Sequence, residues 1–177
     1  MSLTAPLLLL AAQILLSFLT FGLAAQRLAP PLAALPRERA LGLLLWVHAF
    51  RYAPLGLLAP GQAAPEIPLQ VLNIIAVGDL ASALLALVAL VLLRLRAKAA
   101  LGWVRLFSLV SVLDIGTALS VGLGNHVYQY PLGVGWYVLT LYVPLVCLSQ
   151  ALIVIRLLQK PAASLIDERG VVRKELV

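Results

Sequence analysis

Within an otherwise aliphatic chain, the run Trp46-Val-His-Ala-Phe-Arg-Tyr-Ala-Pro54 places an imidazole, His48, three residues before a guanidinium, Arg51. Two other apolar runs carry one carboxylate each, Asp79 and Asp114. Carboxylates beside imidazole and guanidinium can exchange protons or hold a small polar group. The same groups can also form a charge lock that decides which helices pack together. Either role requires that they meet, so the elements that carry them come next.

Composition rules out burial in a water-soluble fold as the reason for so much apolar surface. The 177 residues are 63% hydrophobic and 11% charged, with a mean hydropathy of +1.05. A helix needs about 20 mostly apolar residues to cross the hydrocarbon of a bilayer. Five runs meet that length, at roughly 3–25, 40–58, 69–93, 101–123 and 134–158. The sequence therefore predicts an all-α membrane protein, one five-helix bundle over 1–160, followed by a polar cytoplasmic tail over 161–177. Pro30, Pro31 and Pro36 are expected to end the first span, and Pro54 to break the second. In the tail, Leu165-Ile166 and Val171-Val172 flank Arg169-Gly170 in the manner of a small hairpin.

Charge sets the expected orientation. Of 13 Lys and Arg residues, only Arg51 lies away from the connections 1–2 and 3–4, their flanks, and the segment after span 5. The connections 59–68 and 124–133 contain none. By the positive-inside rule the amino terminus is outside and the carboxyl terminus cytoplasmic. The net charge of +6 then reads as a set of flanks facing anionic headgroups, so the lipid bilayer is the expected partner and nucleic acid is not. A cleaved leader fits poorly, because the first run lacks a basic n-region and is too long. Arg over Lys with abundant Leu and Ala associates the chain with a GC-rich bacterium and its inner membrane.

Counting about 1.5 Å per residue from the Arg-free end brings His48, Asp79 and Asp114 to roughly 14–15 Å depth, with Gln13 near the same level. Arg51 lies about one turn closer to that end. A charge facing lipid there costs at least about 2.5–3.5 kcal/mol, so the charges are expected to face one another or water. The expected polar layer is His48, Arg51, Asp79, Asp114 and Gln13, with Arg51 pairing one aspartate and His48 bonded to the other. Asn73, Ser82, Ser111, Thr117, Tyr142 and His126 are secondary candidates. Ser111, Asp114 and Thr117 recur every third residue along one face. Gly116, Ser120 and Gly124 form a small-residue series suited to a second copy or a partner membrane protein. Asp79-Leu-Ala-Ser-Ala-Leu84 resembles Asp114-Ile-Gly-Thr-Ala-Leu119, a similarity short enough to arise by chance in Ala- and Leu-rich helices.

No cofactor or metal is expected. His126 falls about 15 Å above His48, too far for a shared haem axis. Cys147 and two distant histidines have no zinc-ligand spacing. Phosphate-binding loops, dinucleotide fingerprints, nucleophile elbows and paired-histidine protease motifs are missing. Three readings of function follow: a small transporter or channel-like protein for protons, ions or a small solute; a membrane-embedded enzyme acting on a lipid or isoprenoid; or a non-catalytic assembly subunit. Water reaching the aspartates favours the first, an opening toward lipid the second, and a dry, fully paired cluster the third.

Overall fold

The computed structural model describes residues 4–159; the expected tail and its hairpin lie outside them. Among the described residues all regular structure is helical: α1 (Thr4–Ala34), α2 (Arg37–Ala49), α3 (Leu69–Arg94), α4 (Ala100–Gly124), the single turn α5 (Gly135–Tyr137) and α6 (Val143–Leu158). Five stretches are long and apolar enough to cross a membrane: Ala5–Ala34, Arg37–Leu58, Leu69–Arg94, Ala100–Gly124 and Gly135–Leu158. The protein is a multi-pass membrane bundle.

Pro54 in the second span and Pro36 after the first act as expected, whereas Pro30 and Pro31 do not. α2 stops at Ala49, and the chain tightens into a 3-10 helix, Ala53–Leu58, with Pro54 in its first turn. By contrast α1 continues through Pro30 and Pro31 to Ala34, past the expected end of the first span. Proline fits helical φ and only withholds a donor. The carbonyls it leaves unpaired belong to Gln26 and Arg27, which are exposed, so solvent or headgroups can satisfy them. In the fifth span the ring of Pro144 would crowd the carbonyl of Thr140, four residues earlier. There the helix widens into a π segment, Val138–Tyr142, and Thr140 returns its hydroxyl to the Trp136 carbonyl at 2.8 Å.

The core forms where α3 presents small residues. Ala76, Ala83, Ala86 and Ala89 are buried, which lets α2 and α4 approach closely. Leu41, Leu44 and Leu45 of α2, Val104 and Phe107 of α4, and Ile153 of α6 fill the remaining space. At the Arg-free end the two long connections fold over the bundle around Ile67, Val71, Leu72, Val127 and Leu132. Ala64 donates to the Pro131 carbonyl there (3.2 Å), and Gly133 takes φ +51 beside the Gln62 carbonyl, where a side chain would be strained and tight.

α1 stands apart. It leans on α6 and the π segment, and its span has the smallest buried share of the five. α1 and α4 do not pack extensively on each other.

Candidate functional site

Arg51 sits where α2 has given way to the turn before the 3-10 helix, and it is 2% exposed. Its guanidinium reaches both neighbouring helices. Nε donates to Oδ1 of Asp79 on α3 (2.7 Å), Nη2 to Oδ2 of Asp114 on α4 (2.5 Å), and Nη1 to Oγ of Ser111 on α4 (2.6 Å). Ser82 of α3 adds a bond to Oδ2 of Asp114 (3.1 Å). One planar, permanently charged fork thus clamps the α3–α4 hairpin to the end of α2, a task for which lysine, a single point donor, is poorly suited.

The two aspartates differ. Asp114 takes bonds from Arg51 and Ser82 and lies against Gly78, where an added Cβ would overlap its Oδ1. Asp79 is engaged through Oδ1 alone among the described hydrogen bonds, and its side chain is 15% exposed against 9% for Asp114. Both bonds to Asp114 fall on Oδ2 and its Oδ1 is turned to Gly78 in the helix contact, whereas Asp79 has Oδ2 without a described partner.

Asp79 also lines a cavity of about 160 Å³. Arg51, Asp79 and Tyr142 are its polar lining at the cluster, and Tyr128 adds a hydroxyl elsewhere. The walls are aliphatic: Leu10 and Ile14 of α1 on one side, and Ile115, Leu119 and Leu123 of α4 on the other. The cavity therefore occupies the seam that α1 and α4 leave unsealed. The π segment contributes Val138, Leu139 and Tyr142 to the wall, and π turns are frequent at functional sites.

Several expected members of the polar layer lie elsewhere. His48 is fully buried, yet neither ring nitrogen has a partner, and the ring packs edge-on against Phe107 with centroids 4.9 Å apart. The expected bond from His48 to a carboxylate is absent because α2 ends between His48 and Arg51. The tighter turn carries Arg51 off the helical face that the spacing of three implied. Gln13 accepts from Trp136 Nε1 at 2.6 Å, fastening α1 to the fifth span. Tyr142 donates to the Val47 carbonyl at 2.6 Å. Thr117 bonds the Leu113 carbonyl of its own helix, His126 pairs with Tyr128, and Asn73 is exposed. The similarity between the two Asp-containing runs thus stops at function: Ser82 reaches Asp114, whereas Thr117 reaches neither aspartate. Gly116, Ser120 and Gly124 lie exposed, and nothing is within 4 Å of a Cβ added at either glycine.

A second polar tie escapes the charge-based reading. Gln150 of α6 donates to Oγ of Ser108 (2.6 Å), and Ser149 donates to the Leu44 carbonyl (3.0 Å). Their signal in the sequence is the one that marked Ser82 and Ser111, a polar residue inside an apolar run. Among the described residues no three of His, Cys, Asp and Glu group as metal ligands.

A family described as a domain of unknown function (DUF8737) matches residues 9–158, which include the whole cluster and most of α1. The chain belongs to this family. No curated protein and no solved structure matches it. In this member of DUF8737 the ion cluster and the cavity beside it are the features that bear on function.

The unpartnered imidazole yields a first expected result. A buried polar group without a partner costs about 1–3 kcal/mol, so His48→Leu, close in volume, should keep or raise the melting temperature in detergent. A sharp loss of folded yield would mean that a ring nitrogen has a partner after all.

Proposed function

We propose that the protein binds a lipophilic molecule that enters from the bilayer through the seam between α1 and α4 and sets a small polar end beside Asp79, Arg51 and Tyr142. One observation carries this reading: an aliphatic cavity lies in the unsealed seam and ends at the ion cluster, where Asp79, bonded through Oδ1 alone, is the aspartate that lines it. Pockets of this kind, apolar with a few convergent polar groups, suit small lipophiles. A polar solute or ion would find few partners along such walls. With Asp79 able to accept or release a proton at the bound end, the reading extends to an enzyme acting on a lipid or isoprenoid. In this proposal the Arg-free end faces outward, the amino terminus is outside and the carboxyl terminus cytoplasmic, in the inner membrane of a bacterium. The ligand then comes from the outer half of that bilayer.

The test is photocrosslinking of the reconstituted protein with a diazirine-bearing long-chain alcohol, whose hydroxyl can donate to Asp79. Labelled residues are expected between Leu10 and Ile14 and between Ile115 and Leu123. Gly122 lines the cavity and has open space where its Cβ would be. Gly122→Trp should therefore fill the cavity and cut this labelling about tenfold, the effect of roughly 1.4 kcal/mol of lost affinity. Asp79→Leu, which leaves Arg51 paired with Asp114, should weaken it as well. Labelling spread evenly over the lipid face of α4, Leu106 and Leu109 included, and unchanged in both variants, would refute the proposal.

A further inference from the structure

The basic end of the bundle carries a larger hollow, of about 950 Å³, bounded by α2, the end of α3 and the turn into α4. Its rim holds Arg39, Arg94, Arg96 and Lys98 with one acid, Glu38, so four cations face one anion. Both ion pairs among the described residues belong to Arg51, which leaves these four cations without a described carboxylate partner. Arg37, the neighbouring cation on α2, is occupied differently: its Nη2 donates to the Leu157 carbonyl at the end of α6 (2.6 Å). Arg96 is held in the left-handed region at φ +52, uncommon for a residue with a side chain, by a turn that bonds its amide to the Leu93 carbonyl (3.1 Å).

Below the rim the hollow turns apolar. Leu43 and Trp46 of α2 face it, with Leu90 of α3 and Leu101 of α4. Gly42 lies three residues from Arg39 and four from Trp46, so the three share a helical face. A Cβ at Gly42 would meet nothing within 4 Å, so the helix surface between Arg39 and Trp46 has open space beside it.

We propose that this hollow holds one anionic glycerophospholipid, with its phosphate among Arg39, Arg94, Arg96 and Lys98 and an acyl chain along Gly42 toward Trp46 and Leu90. Charge and shape together select this occupant. Inorganic phosphate would answer the cations and leave the indole and leucines uncovered. A zwitterionic lipid would cover the wall but bring its own cation to a rim that already has a surplus. Basic pockets between membrane helices hold anionic headgroups for this reason. The site is distinct from the aliphatic cavity at the other end and does not depend on what that cavity binds.

The experiment is native mass spectrometry of the detergent-solubilised full chain, titrated in turn with dioleoyl phosphatidylglycerol, dioleoyl phosphatidylcholine and inorganic phosphate. Phosphatidylglycerol is expected to bind at least about tenfold more tightly than phosphatidylcholine. The double variant Arg96→Gln/Lys98→Gln should remove that preference and leave the phosphatidylcholine affinity unchanged. Gly42→Trp keeps every charge and should weaken phosphatidylglycerol binding about tenfold by filling the chain path. Both changes are made at open or exposed positions, so either can be read if the other lowers the yield. Equal affinity for the two lipids overturns the proposal. So does phosphatidylglycerol binding to Gly42→Trp as to the unaltered chain, which would mean attraction to the charged rim alone. Saturable phosphate binding that excludes phosphatidylglycerol would show an ion site and overturn it too.

Discussion

Arg51→Ala is expected to cost about 3–5 kcal/mol, the usual effect of removing one partner from a buried ion pair. The loss has two parts. Asp79 and Asp114 lose the cation that bridges them, and Ser111 loses its donor, so two carboxylates on adjacent helices are left facing each other. The measurement is thermal unfolding in detergent together with folded yield. Arg156→Ala is the control, because among the described residues Arg156 bonds only the exposed side chain of Gln159 (3.0 Å) and should show no appreciable change. Part of the loss should return in Arg51→Ala/Asp114→Asn, since an amide keeps the carboxylate's shape without its charge. Strictly additive losses in that cycle and in the one with Asp79→Asn would mean that Arg51 is energetically independent of both acids.

Gly78→Val should be nearly as damaging, through sterics. A Cβ at position 78 overlaps Oδ1 of Asp114, and that carboxylate is held in place by Arg51 and Ser82. α3 and α4 must then separate, loosening the largest helix contact in the bundle. Forcing extra groups into a packed contact typically costs about 1–3 kcal/mol, and here the displaced groups are charged. Gly78→Ala should harm the native chain more than it harms an Asp114→Ser background, where the obstructing carboxylate is gone and Arg51 still has Asp79. If Gly78→Ala melts like the unaltered chain, the close approach of α3 to Asp114 is not what fixes these helices.

Much of the scaffold is legible in the sequence because length and hydropathy determine it almost alone. The expected span 69–93 and the helix Leu69–Arg94 nearly coincide, as do 101–123 and Ala100–Gly124. Depth counting brings Asp79 and Asp114 to one level with Arg51 about a turn away, within reach of its long side chain, and the three side chains touch. Depth carries no information about azimuth, however, and this is where His48 and Gln13 depart from expectation. His48 reaches the right level and points into an apolar contact with Phe107, and Gln13 turns to Trp136. Gly78 goes unnoticed because a lone glycine in an apolar run looks like any small residue until its neighbour across the interface is known to be an aspartate. The cavity is still less legible, since it exists only because α1 docks on α6 and not on α4.

The placement of Arg51 after the end of α2 also bears on how the chain is made. A ribosome delivers this guanidinium to the membrane before either of its acids exists, because Asp79 and Asp114 lie 28 and 63 residues farther along. A cation fixed in mid-helix would have to wait in hydrocarbon. Beyond the last turn of α2, beside a proline-loosened segment near the bundle's end, it can reach headgroups or water in the meantime. Both carboxylates belong to the α3–α4 hairpin, so the ion cluster can close completely only once α4 has been made.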